Sequence, residues 1–151
     1  MIFFLLFVSQ VFAATISGKV TKVLDGDTVD ILVADALPTR IRFAQIDAPE
    51  KSQEFGPEAK QTLSDLVLGK VVSVDFESRD GYGRVIGLVK FNDVEVNLLM
   101  VQVGLAWVYL EYSHDQKYVE AERTAKEKKL GLWKSQSPMP PWTYRQMKKH
   151  K

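Results

Sequence analysis

The sequence predicts a small α+β protein that is mainly β, a five-stranded Greek-key barrel on the OB-fold plan with three helices. Five short runs are rich in β-branched residues and alternate apolar with polar positions, as half-buried strands do. A helical stretch separates the third run from the fourth, and Asp-Gly, Asn-Asp and Gly-rich turns separate the others.

The first strand is expected at Thr15 to Leu24, with Ile16, Gly18 and Val20 in phase and a shift at Val23-Leu24 that predicts a bulge. Thr28 to Val33 and Thr39 to Ala44 form the next two strands, joined as a hairpin through Ala34 to Pro38. A helix opened by Pro57 and stopped near Gly69 presents Ala59, Leu63, Leu66 and Val67 on one face. Val71 to Glu77 and Val85 to Phe91 complete the five strands, the last turning through Asn92-Asp93 into Val94 to Val96. A second helix is expected over Asn97 to Val103, and a third over Gln116 to Lys129 with Asp115 as its N-cap and Gly131 beyond its end.

The two ends differ from this middle. Met1 to Ala13 is an uncharged apolar run too short to span a bilayer and ends in a Val-x-Ala pattern, the signature of a secretory signal peptide. It carries no Lys or Arg, and a buried first strand is the other reading of it. The chain has no Cys, which excludes disulfide stapling and a lipid-bearing Cys, so the mature form is expected to be secreted or periplasmic without a membrane anchor. Residues 14–134 are expected to form one compact domain, and 135–151 a Pro-containing basic tail, flexible and able to attract phosphate without specificity. No long apolar surface stripe is evident outside the expected core, so a monomer with no stable protein partner is expected.

Charge is balanced overall, with 20 Lys and Arg against 19 Asp and Glu, but Asp115 to Lys151 is basic and the earlier part acidic. The acidic part contains the most informative stretch. In the predicted hairpin the start of one strand lies beside the end of the next, so Asp27 and Asp47 come close in space, with Arg42 on the second strand and Glu50 just beyond. Clustered carboxylates stay ionised together where a cation compensates them. Carboxylate, carbonyl and water oxygens suit a hard divalent ion such as Ca²⁺ or Mg²⁺, and the absence of Cys with no His nearby argues against zinc. Taken singly, Asp-Gly-Asp is also a common turn sequence and Asp-x-Pro a common loop. Between the fourth and fifth strands, Arg79-Asp80-Gly81-Tyr82-Gly83-Arg84 makes a tight loop that can bring a guanidinium to a ligand.

Together, Asp25 to Thr28, Arg42, Asp47 to Glu50, Tyr82 to Arg84, Gly104-Leu105-Ala106 and Gly131 to Trp133 resemble the staphylococcal nuclease family over nearly the whole of residues 14–134. The resemblance implies a Ca²⁺-dependent endonuclease acting on DNA and RNA and leaving 3′-phosphate ends. It implies Asp27, Asp47 and the Ala48 carbonyl as Ca²⁺ ligands, and Glu50, Arg42 and Arg84 as catalytic residues. Tyr82 and Tyr112 fall at substrate-facing positions of the family, while Leu110 stands where the family has another Tyr. The family often has Thr at Ala48, and the loop after Glu50 is shorter and less Lys-rich here. Trp107 and Tyr109 are expected to be packing residues, and His114 carries no catalytic expectation. The other class to weigh is a barrel that has lost catalysis and serves as a nucleic-acid or protein adaptor. Such a module would be expected to lack some of Asp27, Arg42, Asp47, Glu50 and Arg84, all of which are present.

Overall fold

A computed structural model describes residues 14–111 and 115–150; the apolar run 1–13, Tyr112 and His114 lie outside the described residues. In chain order the elements are β1 (Ala14–Asp25), β2 (Thr28–Leu32), β3 (Thr39–Phe43), β4 (Ile46–Asp47), α1 (Gly56–Val67), β5 (Val71–Arg79) and β6 (Val85–Phe91). There follow β7 (Val94–Glu95), α2 (Val96–Gln102), β8 (Trp107–Val108), α3 (Gln116–Glu127), a 3-10 turn at Gly131–Lys134, and α4 (Pro141–Lys149).

Five strands run side by side as β3-β2-β1-β5-β6, and a parallel pairing of β3 with β6, from Ile41 opposite Val85 to Phe43 opposite Gly87, closes them into a barrel. Closure leaves none of the five as a free sheet edge. The bulge expected at Leu24 is present, with a second at Thr21, where β1 slips register against β2 and turns sharply enough to serve two neighbours. Alternation puts Val20, Val29, Ile31, Ile41, Phe43, Val72, Val74, Val85 and Val89 inside. At ~1.5–3 kcal/mol for each fully buried side chain, this core is the main source of stability.

Helix α1 lays Ala59, Leu63 and Val67 onto the barrel, the i, i+4, i+8 stripe that the sequence predicts. Asp115 caps α3 as expected, its carboxylate accepting from the Lys117 N–H at 3.0 Å. Tyr118 of α3 is buried and bonded to Glu95, and burial raises its phenol pKa. Trp133 packs edge-on against Trp107 at 4.4 Å between ring centres, beside Leu132 and Ala125, in a second small core. Among the described residues no helix is long and apolar enough to cross a membrane.

The barrel and the three expected helices are present, but the tail differs from expectation. Pro141–Lys149 is a fourth helix rather than flexible chain, with Pro141 buried in its first turn. Proline breaks a helix interior but is favoured at its first position, so Pro140-Pro141 starts α4 where a run of prolines suggested irregular structure. Trp142 anchors it, stacked on Tyr109 at 5.5 Å and edge-on to Trp107 at 5.7 Å.

One buried polar side chain joins the helices to the barrel. Asn97, fully buried at the start of α2, accepts from the Val89 N–H at 2.9 Å and donates to the carbonyls of Ala44, at 3.0 Å, and Gly87, at 3.1 Å. It thereby fixes the bend between β3 and β4. Asn97→Ala would leave the buried Val89 N–H and the part-buried Ala44 carbonyl without this partner, while the Gly87 carbonyl keeps the Ala44 N–H, so a loss of about 2–4 kcal/mol is expected in urea denaturation. A loss within ±0.5 kcal/mol, as for an ordinary surface change, would contradict this role.

Candidate active site

The site is assembled where β2 begins and β3 ends. Thr28 lies opposite Arg42 in the β2–β3 ladder, so the two Asp residues that flank these strands meet at one corner, as the hairpin predicts. Arg42 Nη2 stands 3.3 Å from Asp27 Oδ2 and 3.1 Å from Asp47 Oδ1, while its Nη1 donates to the carbonyls of Phe43 at 2.6 Å and Ile46 at 2.8 Å. The same guanidinium therefore holds the two carboxylates and the turn that delivers the second of them.

Asp27 and Asp47 are almost fully buried, 5% and 2% exposed. Asp27 accepts from the Ala48 N–H at 2.6 Å and from the Thr28 hydroxyl at 3.0 Å. Ala48 is thus beside Asp27, as expected, and itself buried. Gly26 lets this turn sit tight, because a Cβ there would lie 2.7 Å from the Ala59 Cβ and 2.8 Å from the Ala48 Cβ. Glu50 follows in a loop closed by two bonds with Gln53: its N–H donates to Gln53 Oε1 at 3.1 Å and its carbonyl accepts from the Gln53 N–H at 2.9 Å. Gly56 packs against that carbonyl so closely that a Cβ would lie 1.9 Å from it.

Burial pushes the Asp27 carboxyl up to about 6, against the opposing pull of Arg42. Asp47 is also raised, by burial first and by the nearby Asp27, with hydrogen bonds from Arg145 opposing. Two carboxyls that resist ionisation in a closed corner are sites wanting positive charge. Asp27 and Asp47 are carboxylate oxygen donors of the kind a hard divalent cation such as Ca²⁺ takes. Two guanidiniums stand among the three carboxylates, and no three acidic or His side chains close into a ready cage among the described residues.

The other half of the site is basic. Asp80 organises the loop between β5 and β6, its Oδ1 accepting from the N–H groups of Tyr82 and Arg84, both at 3.0 Å, and its Oδ2 pairing with Arg84 Nε at 2.6 Å. Arg84 and Arg42 line one cleft of about 420 Å³ with Phe43, Ile46, Ile86 and Tyr109. Arg84 also borders a wider groove of about 870 Å³ with Arg40, Arg79 and Tyr82. Tyr82 is 90% exposed, with its ring face 5.7 Å from the Arg84 guanidinium, so the loop presents an open aromatic face. Trp107 packs as expected, whereas Tyr109 both packs on Trp142 and lines the Arg42 cleft. Tyr112 lies outside the described residues.

Two residues of the corner were not anticipated. Arg145 of α4 reaches Asp47 and Glu50, and Gln53 braces the Glu50 loop. Trp142 and Tyr144 were the available signal, because a solvated tail seldom carries aromatics.

A closed barrel with buried carboxylates at one corner and arginines along the adjoining cleft defines an OB-fold protein of the nuclease-like class. Residues 40–135 match the family described as "Staphylococcal nuclease homologue". The chain is 42% identical over 139 residues to an Escherichia coli protein named "Uncharacterized endonuclease", covering 91% of this chain and 90% of that one. A Haemophilus influenzae protein of the same name is 42% identical over 131 residues, covering 87% and 74%. A Shigella flexneri protein named "Micrococcal nuclease" is 38% identical over 148 residues, covering 91% and 84%. The chain belongs to the staphylococcal nuclease homologue family.

The raised carboxyl of Asp27 has a consequence for stability. Its folded pKa of about 6 lies above the ordinary Asp value of ~3.9, so its contribution is fully present below about pH 4 and is lost as pH rises through about 6. In metal-free protein Asp27→Asn removes that loss. The stability of the variant relative to wild type is therefore expected to rise from pH 4 to pH 8 by on the order of 2 kcal/mol, whatever the constant cost of the hydrogen bonds that Asn cannot accept. Urea denaturation in EDTA at both pH values checks this, and an equal effect at both would refute it.

Proposed function

We propose that this protein is a Ca²⁺-dependent endonuclease that hydrolyses phosphodiester bonds of DNA and RNA to products ending in 3′-phosphate. The observation that carries this reading is the position of Arg42, which stands between the buried Asp27 and Asp47 on one side and the cleft shared with Arg84 on the other. A phosphate in that cleft meets two permanently charged guanidiniums, Arg42 held in place by its four acceptors and Arg84 on the open loop.

Asp27, Asp47 and the Ala48 carbonyl would hold Ca²⁺, which supplies charge neutralisation at the phosphate when bound. Glu50 takes a proton from the attacking water as the new O–P bond forms. The P–O5′ bond breaks, the 5′-oxygen leaves with a proton from solvent, and the phosphate stays on the 3′ side. Arg42 and Arg84 stabilise the extra negative charge that develops on the phosphoryl oxygens. Tyr82 offers its exposed face to a base, a contact open to any nucleotide. Charge and stacking read neither base edges nor the 2′-hydroxyl, consistent with action on both nucleic acids. The apolar run at 1–13 supports a place of action outside the cytoplasm.

Release of acid-soluble nucleotide from heat-denatured DNA and from RNA is expected in Ca²⁺ and not in excess EGTA. Glu50→Gln should lower the rate ~10²–10⁴-fold. Arg84→Ala should lower it ~10²–10³-fold. Products should accept a 3′-end label only after phosphatase treatment. Folded protein that leaves both substrates intact in Ca²⁺ would overturn the proposal.

A further inference from the structure

The C-terminal helix enters the corner. Arg145 Nη2 lies 2.7 Å from Asp47 Oδ2, and its Nη1 lies 3.2 Å from Asp47 Oδ1 and 2.8 Å from Glu50 Oε1. One guanidinium thus grips Asp47 with two nitrogens and ties it to Glu50, nearly a hundred residues earlier in the chain. A guanidinium keeps its charge throughout the accessible pH range, so the link is a permanent one.

The contact is built rather than incidental, because α4 is fastened to the loop that carries Glu50 at several independent points. Gln53 is 7% exposed and donates to the Met139 carbonyl at 2.6 Å, while its Oε1 accepts from the Glu50 N–H. The Tyr144 hydroxyl donates to the Ser52 carbonyl at 2.9 Å, and Lys148 Nζ meets Ser52 Oγ at 2.7 Å. On the other side Trp142 is stacked on Tyr109. The loop is therefore gripped just after Glu50, at Ser52 and Gln53, and Arg145 acts at the Glu50 side chain itself.

We infer that Arg145 is a positioning residue of this active site, holding the Glu50 and Asp47 carboxylates in a fixed mutual orientation, so that the C-terminal helix is part of the catalytic apparatus. The inference rests on the nuclease reading above. Three carboxylates at one corner repel one another, and Arg42 touches Asp27 and Asp47 but is paired with Glu50 by no bond. Arg145 supplies the missing link. It engages Oε1 of Glu50 and leaves Oε2 for water. An ionised carboxylate has about four acceptor positions; Asp47 accepts from Arg42 once and from Arg145 twice, which leaves one position for a cation. Lys could not span two carboxylates with a planar fork, so it would replace the charge but not the geometry.

The test compares wild type, Arg145→Ala and Arg145→Lys as full chains. It reads kcat and KM on a short single-stranded oligonucleotide in saturating Ca²⁺, Ca²⁺ binding by calorimetry, and urea denaturation to set a temperature where all are folded. Arg145→Ala is expected to lower kcat ~10–100-fold, as loss of an outer-shell partner does, with KM nearly unchanged. Arg145→Lys should recover part of kcat. Should Arg145→Ala fail to fold, the kcat and KM of Arg145→Lys decide by the same split. Unchanged kcat, a rise in KM alone, or a loss that only tracks unfolding would overturn the inference. Faster cleavage with tighter Ca²⁺ binding in Arg145→Ala would also overturn it, making Arg145 a competitor of the metal. If folded wild type does not cleave at all, the nuclease reading falls and this inference with it; cleaving wild type with an indifferent Arg145 sinks this inference alone.

Discussion

Arg42 between two buried aspartates is the interaction on which both the barrel and its site depend. It lies on β3, the strand whose parallel pairing with β6 closes the barrel, and it faces Ile86 across that seam. Its two bonds to the carbonyls of Phe43 and Ile46 hold the sharp turn through Ala44 and Gln45, where Gln45 takes a left-handed backbone (φ 68°). That turn sends the chain into β4 and brings Asp47 back to Asp27. A buried ion pair adds little net stability once desolvation is counted, while losing one partner leaves a charge uncompensated. Here the value of the arrangement is positional: the residue that neutralises the acids also folds the segment that presents them.

The acidic half is rigid for reasons that do not involve charge. Gly26 is pressed between Ala59 and Ala48, Gly56 against the Glu50 carbonyl, and Asn97 pins the Ala44 bend from inside. Each is a close approach of backbone to a packed neighbour, and packed interiors have few alternative arrangements. The substrate-facing half is built differently. The loop carrying Tyr82 and Arg84 hangs on the Asp80 carboxylate, projects an exposed ring, and has open space around Gly81 and Gly83. A stiff corner and a compliant loop suit the two occupants proposed above, a cation and an extended polymer.

What the sequence discloses about this chain follows the range of the forces involved. Alternating β-branched runs, the Leu24 bulge, the α1 stripe and the Asp115 cap are local patterns, and all appear in the structure. The meeting of Asp27 with Asp47 was legible because one hairpin register brings them together. Arg145 was not, because its partners lie 95 to 98 residues away and no local period links a tail to a turn near the start. Composition even pointed the wrong way, since Ser and Pro read as a breaker while Pro141 begins a helix. Gln53 was hidden for a similar reason: a polar residue in a polar loop gives no hint that it is buried under Met139.

The three arginines of the corner differ in how firmly they are held, and this sorts their work. Arg42 is committed to two carboxylates and two carbonyls inside the fold, so turning away would orphan buried acceptors. Arg145 is half-exposed, but it grips two carboxylates from a docked helix. Among the described residues the Arg84 side chain is ion-paired with Asp80 alone, on a loop open to solvent, where exchange of one anion for another costs little. A phosphate arriving in the cleft would therefore find Arg42 already fixed in place and Arg84 able to swing from a carboxylate to it. On the proposed function, the first would set where the phosphate sits and the second would close on it once it is there.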